Sequence, residues 1–191
     1  MTPTPRRDTR PADVQRIDGR ETYRNDWMSV TEDVVRRSDG SRGIYGVVHR
    51  APGVVVIARR VVDDVEEFCV VEQYRYPVGA RRWEFPAGTA DAVDTDPVGA
   101  ARRELREETG LAASTLRLLA VLDVAPGFTA QQTTIVLAED LADGEHHRDS
   151  TESDMTWTWW TRDEVVSAIV GGRIVDAQSI AGWAVLLSHA E

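Results

Sequence analysis

Apolar positions crowd most densely at Gly53-Val54-Val55-Val56-Ile57-Ala58, a short continuous β-branched run that predicts a strand buried on both faces. Further strands are predicted at Glu67 to Tyr74 and, briefly, at Trp83-Glu84-Phe85, which ends at Pro86-Ala87-Gly88. Leu116 to Val124, Thr133 to Ala138 and Met155 to Trp160 complete that series. Upstream, strand-like segments around Met28-Ser29-Val30 and Ile44 to Val48 flank a turn at Ser38-Asp39-Gly40, so a small antiparallel meander is expected. A helix should begin after Asp96 as N-cap, with Pro97 in first position, and stop at Gly110. A second is expected from about Arg162 to Val170, and a third over Ser179 to His189. Strands and helices alternate irregularly, which suggests an α/β (α+β) fold with a mixed sheet flanked by helices. Residues 1–13 are polar, rich in proline and arginine, and read as a disordered tail. Residues 14–50 then form a small N-terminal β element, and residues 51–191 the main domain.

Composition narrows the function. The 191 residues suit one domain with at most a small appendage, and 42% hydrophobic content is enough for a core. The net charge of −10 leaves no basic field to displace counterions, so a nucleic acid is not expected as partner. A small phosphate ligand stays open, because divalent ions invert the local sign. Cys69 is the single cysteine, which excludes an internal disulfide, and in Phe68-Cys69-Val70-Val71 it reads as a packed small hydrophobe. No apolar stretch approaches the roughly 20 residues of a membrane span. The N-terminus lacks the apolar centre of a signal peptide, so a cytoplasmic protein is expected.

The informative stretch is Arg103-Glu104-Leu105-Arg106-Glu107-Glu108-Thr109-Gly110-Leu111. Helical spacing gathers Glu104, Glu107 and Glu108 at i, i+3 and i+4. Like charges so placed cost a few tenths of a kcal/mol per pair, which helicity alone would not select. A solvated acidic face is one reading; a cluster of hard oxygen ligands for Mg²⁺ is the other. Ala101, Leu105 and Leu111 fall on another face and can anchor the helix to a sheet.

These residues resemble the Nudix box, G-x5-E-x7-R-E-U-x-E-E-x-G-U, where U is a bulky aliphatic. Gly88 matches the opening glycine, and Arg103 to Leu111 match the whole second half. Two positions depart: the spacing from Gly88 to Arg103 is one residue longer, and Thr95 stands where the early glutamate falls. The likeness extends over roughly residues 20 to 190 and looks closest to ADP-ribose pyrophosphatases. It is carried by Glu72-Gln73-Tyr74-Arg75-Tyr76-Pro77 with Trp83 to Gly88, by Ala125-Pro126-Gly127-Phe128-Thr129, and by the acidic loop before Met155.

The resemblance implies a Nudix fold and magnesium-dependent hydrolysis of the pyrophosphate bond of a nucleoside diphosphate derivative. ADP-ribose, split into AMP and ribose 5-phosphate, is the expected substrate, with Mn²⁺ as a substitute metal. Glu104 and Glu108 are assigned as principal metal ligands, Glu107 as ligand to a further ion, and the Ala87 carbonyl as another ligand. Arg103, at i, i+4 from Glu107, orients a neighbouring carboxylate. A general base is expected on the polar stretch Ala142 to Asp154, with Glu152 the best match and Glu145 and Asp154 as alternatives. His146 and His147 read as a solvated pair.

Homodimers in this branch reach across with their N-terminal strands and set the adenine or ribose near an aromatic residue. Trp27 is the matching position; an ordinary core tryptophan is its other reading. Arg75 reads either as a phosphate contact or as a surface ion-pair partner. Glu84 is a substrate or outer metal contact or a structural carboxylate, and Gly127 joins the substrate side. Gln131 and Gln132 stand where related sequences often carry a glutamate. Two other readings remain: another nucleotide sugar such as GDP-mannose as substrate, or a catalytically silent module that senses a nucleotide sugar.

Overall fold

A computed structural model describes residues 12–90, 96–144 and 154–189. Its centre is β4 (Gly53–Val62), whose residues 53–58 are buried without interruption. Val54, Val56 and Ala58 enter one apolar cluster and Val55 and Ile57 another, so the strand is covered on both faces, as its β-branched run predicts. On one edge β4 runs parallel to β9 (Gln132–Asp143), which pairs with β8 (Leu111–Asp123). On the other it pairs antiparallel with β5 (Val65–Arg75), which is flanked by β10 (Thr156–Thr161). Two short strands, β6 (Ala80–Glu84) and β7 (Ala87–Thr89), join β5 and β4 respectively.

Helix α1 (Pro97–Thr109) covers the face of Val54, Val56 and Cys69 through Ala100, Ala101 and Leu105. Helices α2 (Arg162–Val170) and α3 (Ala177–Ser188) cover the opposite face with Val165, Ala168, Trp183 and Leu186. The mixed sheet thus lies between helices. Burial pushes the Cys69 thiol well above its ordinary range, with the nearby charge of Glu108 adding to the shift. That is a packed hydrophobe, not a nucleophile.

Ahead of this body, β1 (Val14–Arg24), β2 (Met28–Arg37) and β3 (Arg42–Arg50) form a separate antiparallel sheet. It is larger than the two-segment meander expected: β1 is an added strand, and β2 and β3 extend well beyond the apolar segments that marked them. Almost every residue of β1 is exposed, so no burial periodicity marks it in the sequence. Three other boundaries also move. Strand β8 starts at Leu111 and β9 runs to Asp143, so the polar stretch read as a loop from Ala142 begins inside a strand. There the backbone ladder persists while side chains such as Asp140 and Asp143 face water. Helix α3 begins two residues before Ser179 because Asp176 supplies its cap. Of the N-terminal tail only Ala12 and Asp13 are described, and the Asp13 carbonyl accepts from Ser38 N at 2.9 Å.

Candidate active site

The acidic helix is fixed at both ends by local chemistry. Asp96 Oδ1 accepts from Gly99 N at 2.7 Å, Pro97 opens the first turn, and Gly110 closes the helix in the left-handed region with φ 77°. Anchoring of Ala101 and Leu105 under the sheet then sets the azimuth of the glutamates. Glu108, 1% exposed, points to the strand connection and accepts from Ala87 N at 3.1 Å. Glu104, 7% exposed, lies against Gly88, where an added Cβ would stand 2.0 Å from its carboxyl carbon. No side chain other than hydrogen fits there without displacing that carboxylate.

Arg103 ties this group together. Its Nη1 reaches Glu104 Oε1 at 3.0 Å and Glu107 Oε2 at 2.8 Å, while Nη2 donates to the Thr89 carbonyl at 2.9 Å. Helix and β7 are therefore joined by one guanidinium, and Glu107 stays half-buried. Among the described residues, no three carboxylate, imidazole or thiol groups stand close enough as placed to hold a metal ion.

Gly88 and Ala87 form part of the wall of a cleft of about 530 Å³. Three arginines from separate strands also line it: Arg50 at the end of β3, Arg75 at the end of β5, and Arg82 in β6. Glu84 and Asp176 line it as well, so three cations face two carboxylates in a chain whose net charge is −10. Arg75 also grips the buried Glu84, with Nε at 2.9 Å from Oε1 and Nη2 at 2.5 Å from Oε2. That hydrogen bond holds the Arg75 guanidinium charged above its ordinary range against partial burial, with smaller help from Glu108 and Asp176. Arg75 is therefore an ion-pair partner of Glu84 that also lines the cleft. Glu84, 4% exposed and paired with Arg75, also lines the cleft.

The other expected residues are dispersed. Trp27 stands 75% exposed at the turn between β1 and β2, which removes its reading as a core residue. Asn25 Oδ1 fixes that turn by accepting from Trp27 N at 3.0 Å and Met28 N at 2.8 Å. Gly127 lies in the turn before Thr129, with open space where a Cβ would be, and is not among the cleft-lining residues. Gln131 lines the cleft while its amide donates to the Ala51 carbonyl at 2.8 Å; Gln132 bonds Asp123 instead. Asp154, an alternative base, is committed to Arg81, which reaches its carboxylate and its carbonyl at 2.8 Å each. Glu152, Glu145, His146, His147 and Thr95 lie outside the described residues. Arg50, Arg82 and Asp176 were not singled out from sequence. Asp176 was findable, since Asp just ahead of an apolar helical segment is an N-cap candidate; nothing local distinguishes the two arginines.

Comparison with known proteins decides the family. The NUDIX domain matches residues 49–181, and the nucleoside diphosphate sugar hydrolase N-terminal domain matches residues 14–48. The chain belongs to the Nudix family. This Nudix hydrolase is 36% identical over 179 residues to the ADP-ribose pyrophosphatase of Mycobacterium tuberculosis, covering 93% of this chain and 84% of that protein. It is 29% identical over 129 residues to the ADP-ribose pyrophosphatase of Bacillus subtilis, covering 67% and 68%. The crystal structure of an ADP compounds hydrolase superimposes with a TM-score of 0.80 at 19% identity, covering 95% of this chain and 96% of that one, and shares its fold. Nudix hydrolases generally use divalent metals, and the enzyme reading replaces that of a silent sensing module.

Proposed function

We propose that this Nudix hydrolase acts in the cytoplasm on ADP-ribose, giving AMP and ribose 5-phosphate with Mg²⁺ as its metal. The observation that carries the reading is the meeting of two buried carboxylates, Glu104 and Glu108, at the Ala87-Gly88 wall of an arginine-lined cleft. The fit to a hard divalent ion is chemical: carboxylate oxygens are the donors such ions prefer, and the Ala87 carbonyl would add another oxygen donor. The space that Gly88 leaves is filled by a carboxylate rather than by apolar atoms. When bound, the metal would neutralise phosphate charge and acidify a water.

The chain's own residues divide the remaining work. Glu104 and Glu108 would hold the ion, Glu107 would contribute to a further one, and Arg103 keeps these carboxylates oriented. Arg75, braced by Glu84, pairs with phosphate oxygens through its remaining Nη1. Water adds to one phosphorus, the bridging P–O bond breaks, and the water proton passes to Glu152. Glu152→Gln is expected to lower turnover about 10²-fold, near the low end for losing a general base, because metal-bound water is already acidified. An unchanged rate across pH would transfer the role to another acid.

Residues 14–50 serve as the dimerising element. Val14, Ile17, Tyr23, Ile44 and Tyr45 leave apolar surface open on the small sheet. Trp27, exposed and not among the residues that line its own cleft, stacks on the base in the partner's cleft, a contact worth roughly 1–3 kcal/mol in other base-binding proteins. One preparation tests these readings. ADP-ribose, GDP-mannose, NADH and diadenosine polyphosphates are incubated with Mg²⁺, Mn²⁺ or chelator, products are identified, and light scattering gives the mass. ADP-ribose should be cleaved fastest, activity should vanish with chelator, and the mass should be twice that of the 21.2 kDa chain. Faster cleavage of GDP-mannose would replace the substrate, and a monomeric mass would remove Trp27 from the site.

A further inference from the structure

We propose that Ser179, far from the acidic helix in sequence, is a positioning residue that sets the backbone against which the metal-binding carboxylates rest. The connection from β6 to β7, Glu84-Phe85-Pro86-Ala87, is the hinge of the site. Its flanks carry the Arg75–Glu84 pair on one side and the Glu104–Glu108 group on the other. Backbone groups buried there need partners, and strand pairing does not provide all of them. Pro86 has no N–H, and its carbonyl accepts from Val56 N at 2.8 Å. The two remaining N–H groups go to side chains from helices on opposite faces of the sheet. Ala87 N donates to Glu108 of α1, and Phe85 N donates to Ser179 Oγ of α3 at 3.0 Å.

The grip on Phe85 is double. Ser179 is 1% exposed and Phe85 fully buried, so this N–H has no access to water as a substitute partner. One turn further along α3, Trp183 stacks on the Phe85 ring at 6.1 Å between centroids and 20° between planes. Ser179 is held in turn: its own N–H donates to Asp176 Oδ2 at 2.7 Å, the cap that starts α3. Asp176 also lines the cleft and adds to the field at Arg75. A hydroxyl on the helix behind the sheet therefore fixes the connection from one side while Glu108 fixes it from the other. Loss of the hydroxyl leaves an orphaned N–H, and the cheapest relief is a shift of residues 84–87 that moves Ala87 relative to Glu108.

The inference rests on Glu108 being a metal ligand, and its test separates the two. Mn²⁺ affinity is measured by electron paramagnetic resonance without substrate, beside kcat, KM and melting temperature, for wild type, Ser179→Ala, Ser179→Cys, Ser179→Thr and Glu108→Gln. Ser179→Ala should weaken Mn²⁺ binding about tenfold, the lower end for residues that orient ligands, and kcat should fall with it while KM stays near wild type. Ser179→Cys, nearly isosteric with a weaker acceptor, should be intermediate and supplies the measurement if the alanine variant does not fold. Ser179→Thr, which keeps the hydroxyl, should restore binding. A Ser179→Ala or Ser179→Cys protein with lowered melting temperature but wild-type Mn²⁺ affinity and kcat would reduce Ser179 to a structural role. Wild-type Mn²⁺ affinity in Glu108→Gln would instead overturn the ligand assignment itself.

Discussion

Replacing Glu108 with glutamine is expected to cut turnover roughly 10³-fold while the fold survives. A lost metal-ligand charge removes several kcal/mol of transition-state stabilisation, and each 1.4 kcal/mol or so is a factor of ten. Survival of the fold follows from how the group is held. Glu108 is 1% exposed, and the hydrogen bond it accepts from Ala87 N is one that a glutamine oxygen can also accept. The substitution keeps the size and shape of the side chain, so the packing around this buried position is retained. Circular dichroism and the melting curve should therefore stay near wild type, while ADP-ribose turnover, followed as AMP release, collapses. Turnover near wild type would show that Glu108 serves the connection at Ala87 and nothing more.

Gly88→Ala should be comparably damaging, by displacement rather than deletion. The new methyl would stand 2.0 Å from the Glu104 carboxyl carbon and Oε1, closer than any side chain tolerates. The obstructing atoms are the end of a flexible side chain and not backbone, so Glu104 swings away and β7 keeps its pairing with β4. Arg103 then loses one of the two carboxylates it bridges. The expected outcome is a roughly 10³-fold loss, matching removal of a ligand, with a stability change below the roughly 1–3 kcal/mol of ordinary overpacking. The decisive measurement is the double variant Gly88→Ala with Glu104→Gln. If the methyl acts only by expelling Glu104, the second substitution adds almost nothing; losses that multiply would place the damage elsewhere in β7.

The order of these effects follows the architecture of the cleft. The proposed ligands sit on a capped helix pressed to the sheet, and the expected base falls in the sequence between β9 and β10. Two of the arginines, Arg50 and Arg75, come from strand ends and Arg82 from within β6. Rigid elements thus hold the charge-neutralising groups, where an error of a fraction of an ångström is costly.

What the sequence determined by itself is the part governed by short-range rules. The ends of α1 were legible because a cap, a helix-opening proline and a left-handed glycine act within a few residues of one another. The central strand was legible because a β-branched run has few other uses, and the acidic face because helical period alone unites Glu104, Glu107 and Glu108. The family likeness then named the chemistry. Tertiary structure decided what those rules do not reach. Strand β1 bears no burial pattern, and three-residue β7 exists only through pairing with β4. Arg75 found Glu84 across a β5–β6 pairing, Phe85 found Ser179 ninety-four residues away, and three arginines met only when their strands assembled. Each of these is a contact between residues distant along the chain, and its free energy is realised only once the sheet has brought its partners within reach.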